Sequence, residues 1–147
     1  MILITASQYY QHMDSVIAVA EGLDDEVLLS GKRGPCMYLR KYCRENNIPY
    51  RIETAKWQGP KDFTAGKLRN QTMVNILLTQ PVRKAILFQS NEPNGDLDRD
   101  VRHMESQLEQ SGITPDIYYE GVVQQSKIFT PATDKDLGDG IDTNRIS

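Results

Sequence analysis

Residues 1–35 read MILITASQYYQHMDSVIAVAEGLDDEVLLSGKRGP, and the order of patterns within this stretch decides the fold. Met1–Thr5 is a short, unbroken apolar run, the pattern of a strand buried on both faces. Asp14–Gly22 carries Val16, Ile17, Val19 and Ala20 at helical spacing, with Asp14 as the expected N-cap and Gly22 as the stop. Glu26–Ser30 (EVLLS) is a second apolar run. A strand, a helix and a second strand packed into so few residues form a βαβ unit, whose strands run parallel.

The same alternation continues outward. Pro35–Asn46 reads as a helix with proline in its first turn, where a missing N–H costs little, and Asn46-Asn47 at its end. Tyr50–Thr54 is a more polar strand, nearer an edge. The loop Ala55–Thr64 holds Trp57, Gly59 and Pro60. Ala65–Thr79 is a helix with Leu68, Met73, Ile76 and Leu77 as its apolar positions. Lys84–Gln89 is a fourth strand, and Ser90–Gly95 is dense in turn residues. Leu97–Ser111 is a polar helix with Val101, Met104 and Leu108 on one face and Gly112 as its stop, and Asp116–Glu120 is a fifth strand. These patterns predict an α/β fold, a Rossmann-like three-layer sandwich with a mostly parallel five-stranded sheet, over residues 1–120. Residues 121–147, rich in Asp and Gly, read as a polar C-terminal extension, partly mobile.

Composition narrows the function. The 147 residues suit one domain with a real core, and 39% hydrophobic with 25% charged residues is an ordinary globular balance. A formal charge of −3 argues against a general nucleic-acid or membrane-surface binder. The two cysteines, Cys36 and Cys43, fall two turns apart in one expected helix, roughly 10 Å of rise. A disulfide needs Cα atoms within about 7 Å, so the thiols are expected free and the chain cytoplasmic. Two histidines, His12 and His103, form no metal-ligand spacing, and no metal or cofactor is expected. His103 reads as part of a solvated helix face. The N-terminus lacks the basic region of a signal peptide, and no run approaches the ~20 apolar residues of a membrane span.

In parallel sheets ligands bind outside the carboxyl ends of the strands, which selects four loops. Thr5-Ala6-Ser7-Gln8 offers two hydroxyls to a phosphate or ribose, although such residues are also common in plain turns. Ser30-Gly31-Lys32-Arg33-Gly34-Pro35 lets a ligand approach backbone at Gly31 and Gly34, aims a helix N-terminus at it, and adds the charges of Lys32 and Arg33. It has neither P-loop nor G-x-G-x-x-G spacing. Trp57, Gly59, Pro60, Ala65, Gly66, Arg69 and Asn70 form the densest group: small residues open a helix, and Arg69 can pair with a phosphate or clamp loop carbonyls. In Ser90–Asp96, Asn91 is a polar candidate, Asp96 reads first as a helix cap, and Glu92 is the one candidate general base. Tyr9 can stack on a base or cover the sheet edge.

Taken in order, these loops resemble the SLOG superfamily, which includes DprA, the LOG phosphoribohydrolases and the YspA/cpYpsA-related group, and they are most similar to the last. Its "TGSR"-like turn corresponds to Thr5-Ala6-Ser7-Gln8, and its "GGARGAD" turn to Ser30-Gly31-Lys32-Arg33-Gly34-Pro35-Cys36. Its "ERGIP" corresponds to Glu45-Asn46-Asn47-Ile48-Pro49. Its most specific segment, "AdW…yGkaAGpxRNxxM", corresponds to Ala55-Lys56-Trp57, Gly59 and Ala65-Gly66-Lys67-Leu68-Arg69-Asn70-Gln71-Thr72-Met73. The resemblance spans residues 1 to about 113 and implies a Rossmann-like fold that binds nucleotides or nucleotide-derived ligands. It implies a site built from Ser7, Gly31, Gly34, Arg69 and Asn70, and assembly as a homo-oligomer. LOG enzymes carry a "PGGxGTxxE" loop after the fourth strand. Phe88–Asp96 stands there without the paired Gly or the Gly-Thr, which shifts the expectation from hydrolysis to binding.

The sequence therefore predicts a nucleotide binder, a sensor or a sequestering, sponge-like protein of the kind a phage encodes. Its expected ligand contacts are Thr5, Ser7, Tyr9, Gly31, Lys32, Arg33, Gly34, Trp57, Gly66, Arg69, Asn70 and Asn91. The alternatives are a LOG-like phosphoribohydrolase using Glu92 or Asp96, and a DNA-processing accessory domain, against which the acidic balance counts.

Overall fold

A computed structural model describes residues 1–56, 63–90 and 99–119. Among these residues five strands alternate with four helices: β1 (Ile2–Ala6), α1 (Met13–Glu21), β2 (Val27–Ser30), α2 (Pro35–Glu45), β3 (Tyr50–Glu53), α3 (Phe63–Leu78), β4 (Lys84–Gln89), α4 (Arg99–Gln110) and β5 (Asp116–Tyr119). The strands form one sheet in the order β3-β2-β1-β4-β5, and every pairing is parallel. The expected α/β sandwich is present, with a sheet wholly rather than mostly parallel.

Strand alternation divides the core in two. Leu3, Leu28, Leu87 and Ile117 point to one face, where Met73, Val74 and Leu77 of α3 and Val101, Met104 and Leu108 of α4 cover them. Ile4, Ala6, Val27, Leu29, Ile86 and Phe88 point to the other, under Val16 and Ala20 of α1 and Leu39 and Cys43 of α2. Continuous apolar runs in the sequence thus become two alternating sets, as burial on both faces requires. Tyr10 closes the second core against Phe88, ring centroids 5.1 Å apart, and Phe88 stacks on Tyr118 at 5.3 Å.

Helix ends follow local chemistry, with one correction. Asp14 does not cap α1: the N-cap is His12, with no side-chain cap bond, and Asp14 lies in the first turn. There its charge still faces the positive end of the helix dipole. The entry to α1 is fixed instead by Ser15, whose hydroxyl donates to the His12 carbonyl at 2.8 Å and pairs with the Tyr10 hydroxyl at 2.5 Å. Asn46-Asn47 does end α2: Asn47 takes φ 56°, and the Ile48 amide bonds back to the Cys43 carbonyl at 2.9 Å. Gly112 ends α4 at φ 80°, with Gly112 N–H on Glu109 and Ile113 N–H on Leu108, a Schellman pair. Cys36 and Cys43 are free and buried, both on α2.

Helix α3 departs from its apolar reading at Leu68. That residue is 63% exposed, while Ala65, Arg69, Asn70, Met73, Val74 and Leu77 are buried. The buried stripe runs at spacings of three and four, so Arg69 and Asn70 take the inward positions that Leu68 was expected to share. Met73→Ala should lower the unfolding free energy by about 2–5 kcal/mol. Leu68→Ala should stay within about 0.5 kcal/mol of the parent. Urea unfolding of the two variants side by side measures both.

Candidate functional site

In an all-parallel sheet the carboxyl ends of the strands and the N-termini of the following helices share one edge. Here α1 leaves β1 toward one face and α4 leaves β4 toward the other, so the central pair β1–β4 is where the connections diverge. Such a divergence opens a crevice between loops, and helix N-termini with unpaired N–H groups line it.

The hydroxyls expected to meet a ligand on the first loop are turned inward. Thr5 and Ser7 are fully buried. Thr5 Oγ1 pairs with Ser30 Oγ at 2.7 Å, and Ser30 Oγ lies 3.4 Å from Cys36 Sγ. Ser7 Oγ accepts from the Tyr9 amide at 3.1 Å, while the Ser7 amide donates to the Phe88 carbonyl at 2.8 Å. These groups lace β1, β2, β4 and α2 together at the strand ends. Burial pushes the Cys36 thiol above its ordinary value, with Ser30, Lys32 and Arg69 offsetting only part of the effect, so at neutral pH it is a thiol and not a nucleophilic thiolate. Tyr9 is 42% exposed beside this edge, whereas Tyr10 is buried in the core.

The second loop is shaped by its glycines. Gly34, the N-cap of α2, sits at φ 79°, ψ −132°, a conformation open almost only to glycine. A Cβ there would also lie 3.0 Å from the Gln8 carbonyl, so the first and second loops touch backbone to backbone. At Gly31, whose amide donates to Glu53 O at 2.9 Å, a Cβ would overlap the Thr54 methyl. Between them Arg33 is exposed, and Lys32 turns inward.

Lys32 reaches a cluster that joins three segments. Arg69 on α3 is 4% exposed, and its Nη2 donates to Asp100 Oδ2 on α4. Lys32 Nζ lies 3.0 Å from the same oxygen. Asn70 Nδ2 is 3.0 Å from Asp100 Oδ1, 3.0 Å from the Asp100 carbonyl and 3.1 Å from His103 Nδ1. Asn70 Oδ1 accepts from Arg69 Nε at 3.2 Å, which fixes the amide with its oxygen toward the guanidinium and its two protons toward three acceptors. Burial alone would push the Asp100 carboxyl up, but Lys32 and Arg69 together outweigh it and hold the group below the usual carboxylate range. Desolvation, helped by the nearby charges of Lys67 and Arg69 and opposed by Asp100, pulls His103 below its ordinary value. A neutral imidazole is also what lets Nδ1 accept from Asn70.

The structure thus joins Lys32, Arg69 and Asn70, and buries Gly66 one turn earlier on α3. Arg33 and Tyr9 stand exposed at the same edge, and Thr5 and Ser7 serve the framework. Trp57, Asn91, Glu92 and Asp96 lie outside the described residues, as do residues 120–147. Sequence reasoning missed Asp100 and misplaced His103. The half-buried ring of His103 meets Asn70 rather than a solvated face, because α4 packs against α3 at this point. The available signal was the polar member at the head of each apolar stripe: Arg69-Asn70 before Met73-Val74, and Asp100 beside Val101. Among the described residues no three His, Cys, Asp or Glu side chains are grouped to hold a metal ion, and no helix is long and apolar enough to cross a membrane.

His103 should titrate below 6.5 when followed by NMR of its ring protons. A folded pKa below the unfolded one favours the neutral form on folding, so stability is fully present above about pH 6.5 and declines as the pH falls through that value. Urea unfolding between pH 7.5 and pH 5.5 should show this decline, and His103→Asn should flatten it. Asp100, depressed in the fold, contributes in the other window: its stabilisation is present above the ordinary carboxylate pKa of about 3.9 and is lost in stronger acid. Asp100→Ala, which leaves Arg69 buried without its carboxylate, should cost about 3 kcal/mol at neutral pH.

No protein-family model, curated protein or solved structure matches this chain.

Proposed function

We propose that this domain binds a phosphate-bearing nucleotide, or a small molecule derived from one, at the carboxyl edge of its sheet, and that it acts by binding rather than by turnover. The observation that carries the reading is the convergence of Lys32, Arg69 and Asn70 on a single anionic group at the edge where α3 and α4 begin. Two cations and an amide donor in a largely dry setting match a phosphate monoester in charge and in hydrogen-bonding capacity. The glycine-shaped turn at Gly31–Gly34 and the start of α2 add backbone room and a favourable dipole beside them.

The nucleotide part rests on the sequence resemblance in the segments around Arg69 and around Gly31, and on exposed Tyr9 as a surface for a base to stack on. Assembly as a homo-oligomer follows from the same resemblance, and a role as a phage-encoded sensor or sponge from the compact size and the altered loops. The two free thiols fit a reducing cytoplasm. Binding is favoured over hydrolysis because the fourth-strand loop lacks the glycine-rich pattern of the LOG enzymes.

A thermal-shift screen of nucleoside monophosphates and cyclic nucleotides tests this. A true ligand at 100 times Kd should add about 2.7 kcal/mol of stability. Arg69→Ala, referred to its own baseline, should lose that gain. A screen in which no nucleotide raises the transition removes the reading, and an undiminished gain in Arg69→Ala removes Arg69 as the anchor. Release of free base from a nucleoside monophosphate would make the protein a hydrolase instead.

A further inference from the structure

The anion on which Lys32, Arg69 and Asn70 converge is part of the chain. Asp100 Oδ2 takes both the Arg69 guanidinium and the Lys32 ammonium, and Asp100 Oδ1 faces the Asn70 amide at 3.0 Å. The donors come from α3 and from the β2–α2 turn, and the acceptor comes from the first turn of α4. A carboxylate with both oxygens bonded by cationic and amide donors presents them with the same fork that a phosphate would offer. With one negative charge it also leaves the two cations half-compensated, whereas a phosphate monoester carries about −1.5 to −2 at neutral pH.

We propose that Asp100 is an intramolecular occupant of the phosphate seat, so that ligand binding is an exchange in which phosphate displaces the Asp100 carboxylate from Lys32 and Arg69. This rests on the proposed function and adds a mode of regulation to it. In the empty protein the latch neutralises a buried guanidinium that would otherwise be costly to keep there. It sets the affinity for phosphate below what the bare seat would give, because the ligand must outcompete a group already in place. It also ties occupancy of the site to the first turn of α4, since the carboxylate that leaves is carried by that turn. A second anion cannot simply settle beside Asp100: two negative groups within about 4 Å in a setting of reduced dielectric repel strongly.

The test uses inorganic phosphate as probe, titrated calorimetrically into the full chain. Asp100→Asn keeps the shape of the side chain and one acceptor oxygen, and removes its charge and its second acceptor. It should bind phosphate at least tenfold more tightly than the parent, and Asp100→Ser should do the same. Glu45→Gln, which removes a carboxylate at the far end of α2, controls for a general charge effect and should stay within about twofold. The parent protein supplies an independent readout: saturating phosphate should speed hydrogen exchange at the amides of Val101–Glu105, because the helix start loses its tether. Equal or weaker phosphate binding by Asp100→Asn, or slower exchange at those amides in the parent, overturns the exchange while leaving the binding site standing. If neither the parent nor any Asp100 variant takes up phosphate or a nucleoside monophosphate, the site itself is refuted, and the latch with it.

Discussion

Burying both faces of a parallel sheet leaves its polar side chains one outlet, the edge where the strands end. β1, β2 and β4 are apolar on both sides along most of their length, feeding one core through Leu3, Leu28 and Leu87 and the other through Ile4, Leu29 and Phe88. Hydroxyl and amide side chains appear only as these strands finish, at Thr5, Ser30 and Gln89, and all three are buried there. Each needs a partner at that depth. Thr5 and Ser30 satisfy one another, and Gln89 donates to Glu105 of α4 at 3.0 Å. The carboxyl edge is therefore a polar layer lying over two dry cores, and any charged group added to it is partly desolvated from the start.

The two helices on the α3–α4 face carry that layer upward. Each has an apolar stripe, and each stripe becomes polar at its N-terminal end: Arg69 and Asn70 above Met73 and Val74, Asp100 and His103 above Val101 and Met104. Because α3 and α4 pack side by side and run the same way, the polar ends meet each other. The resulting ion pair is weak evidence for stability, since desolvation offsets much of its Coulombic gain. Its structural effect is orientation. Arg69 is held by Asp100 and Asn70 together, and Lys32 is drawn across the strand ends from the β2–α2 turn. A guanidinium fixed by two partners has already given up most of its side-chain freedom.

The fold was legible because every one of its signals is local. Apolar runs of strand length, helical stripes between them, proline at the start of α2, Asn46-Asn47 after it and Gly112 after α4 act within a few residues of themselves. Together they determine the elements of the described residues in the observed order. The errors have the same origin. Asp14 was read as a cap because its chemistry is right, but Ser15 and Tyr10 tie the entry to α1 so that the cap falls two residues earlier, at His12. Leu68 was read as core because it is apolar, while the stripe passes through Arg69 instead.

For the site, the sequence by itself supplied the loops and three members of the cluster, Lys32, Arg69 and Asn70. Lys32 and Arg69 stand out as cations beside glycines at strand-to-helix junctions, and such junctions lie at one edge of any parallel sheet. Asp100 and His103 did not stand out, since within α4 they are ordinary polar residues of a polar helix. Only the packing of α4 on α3 gives them partners, across 30 to 33 positions of chain. Chain-local chemistry thus determined the elements and their order. Long-range packing decided which charges lost their water together, and that loss turned Lys32, Arg69, Asn70 and Asp100 from four surface-type residues into one electrostatic unit.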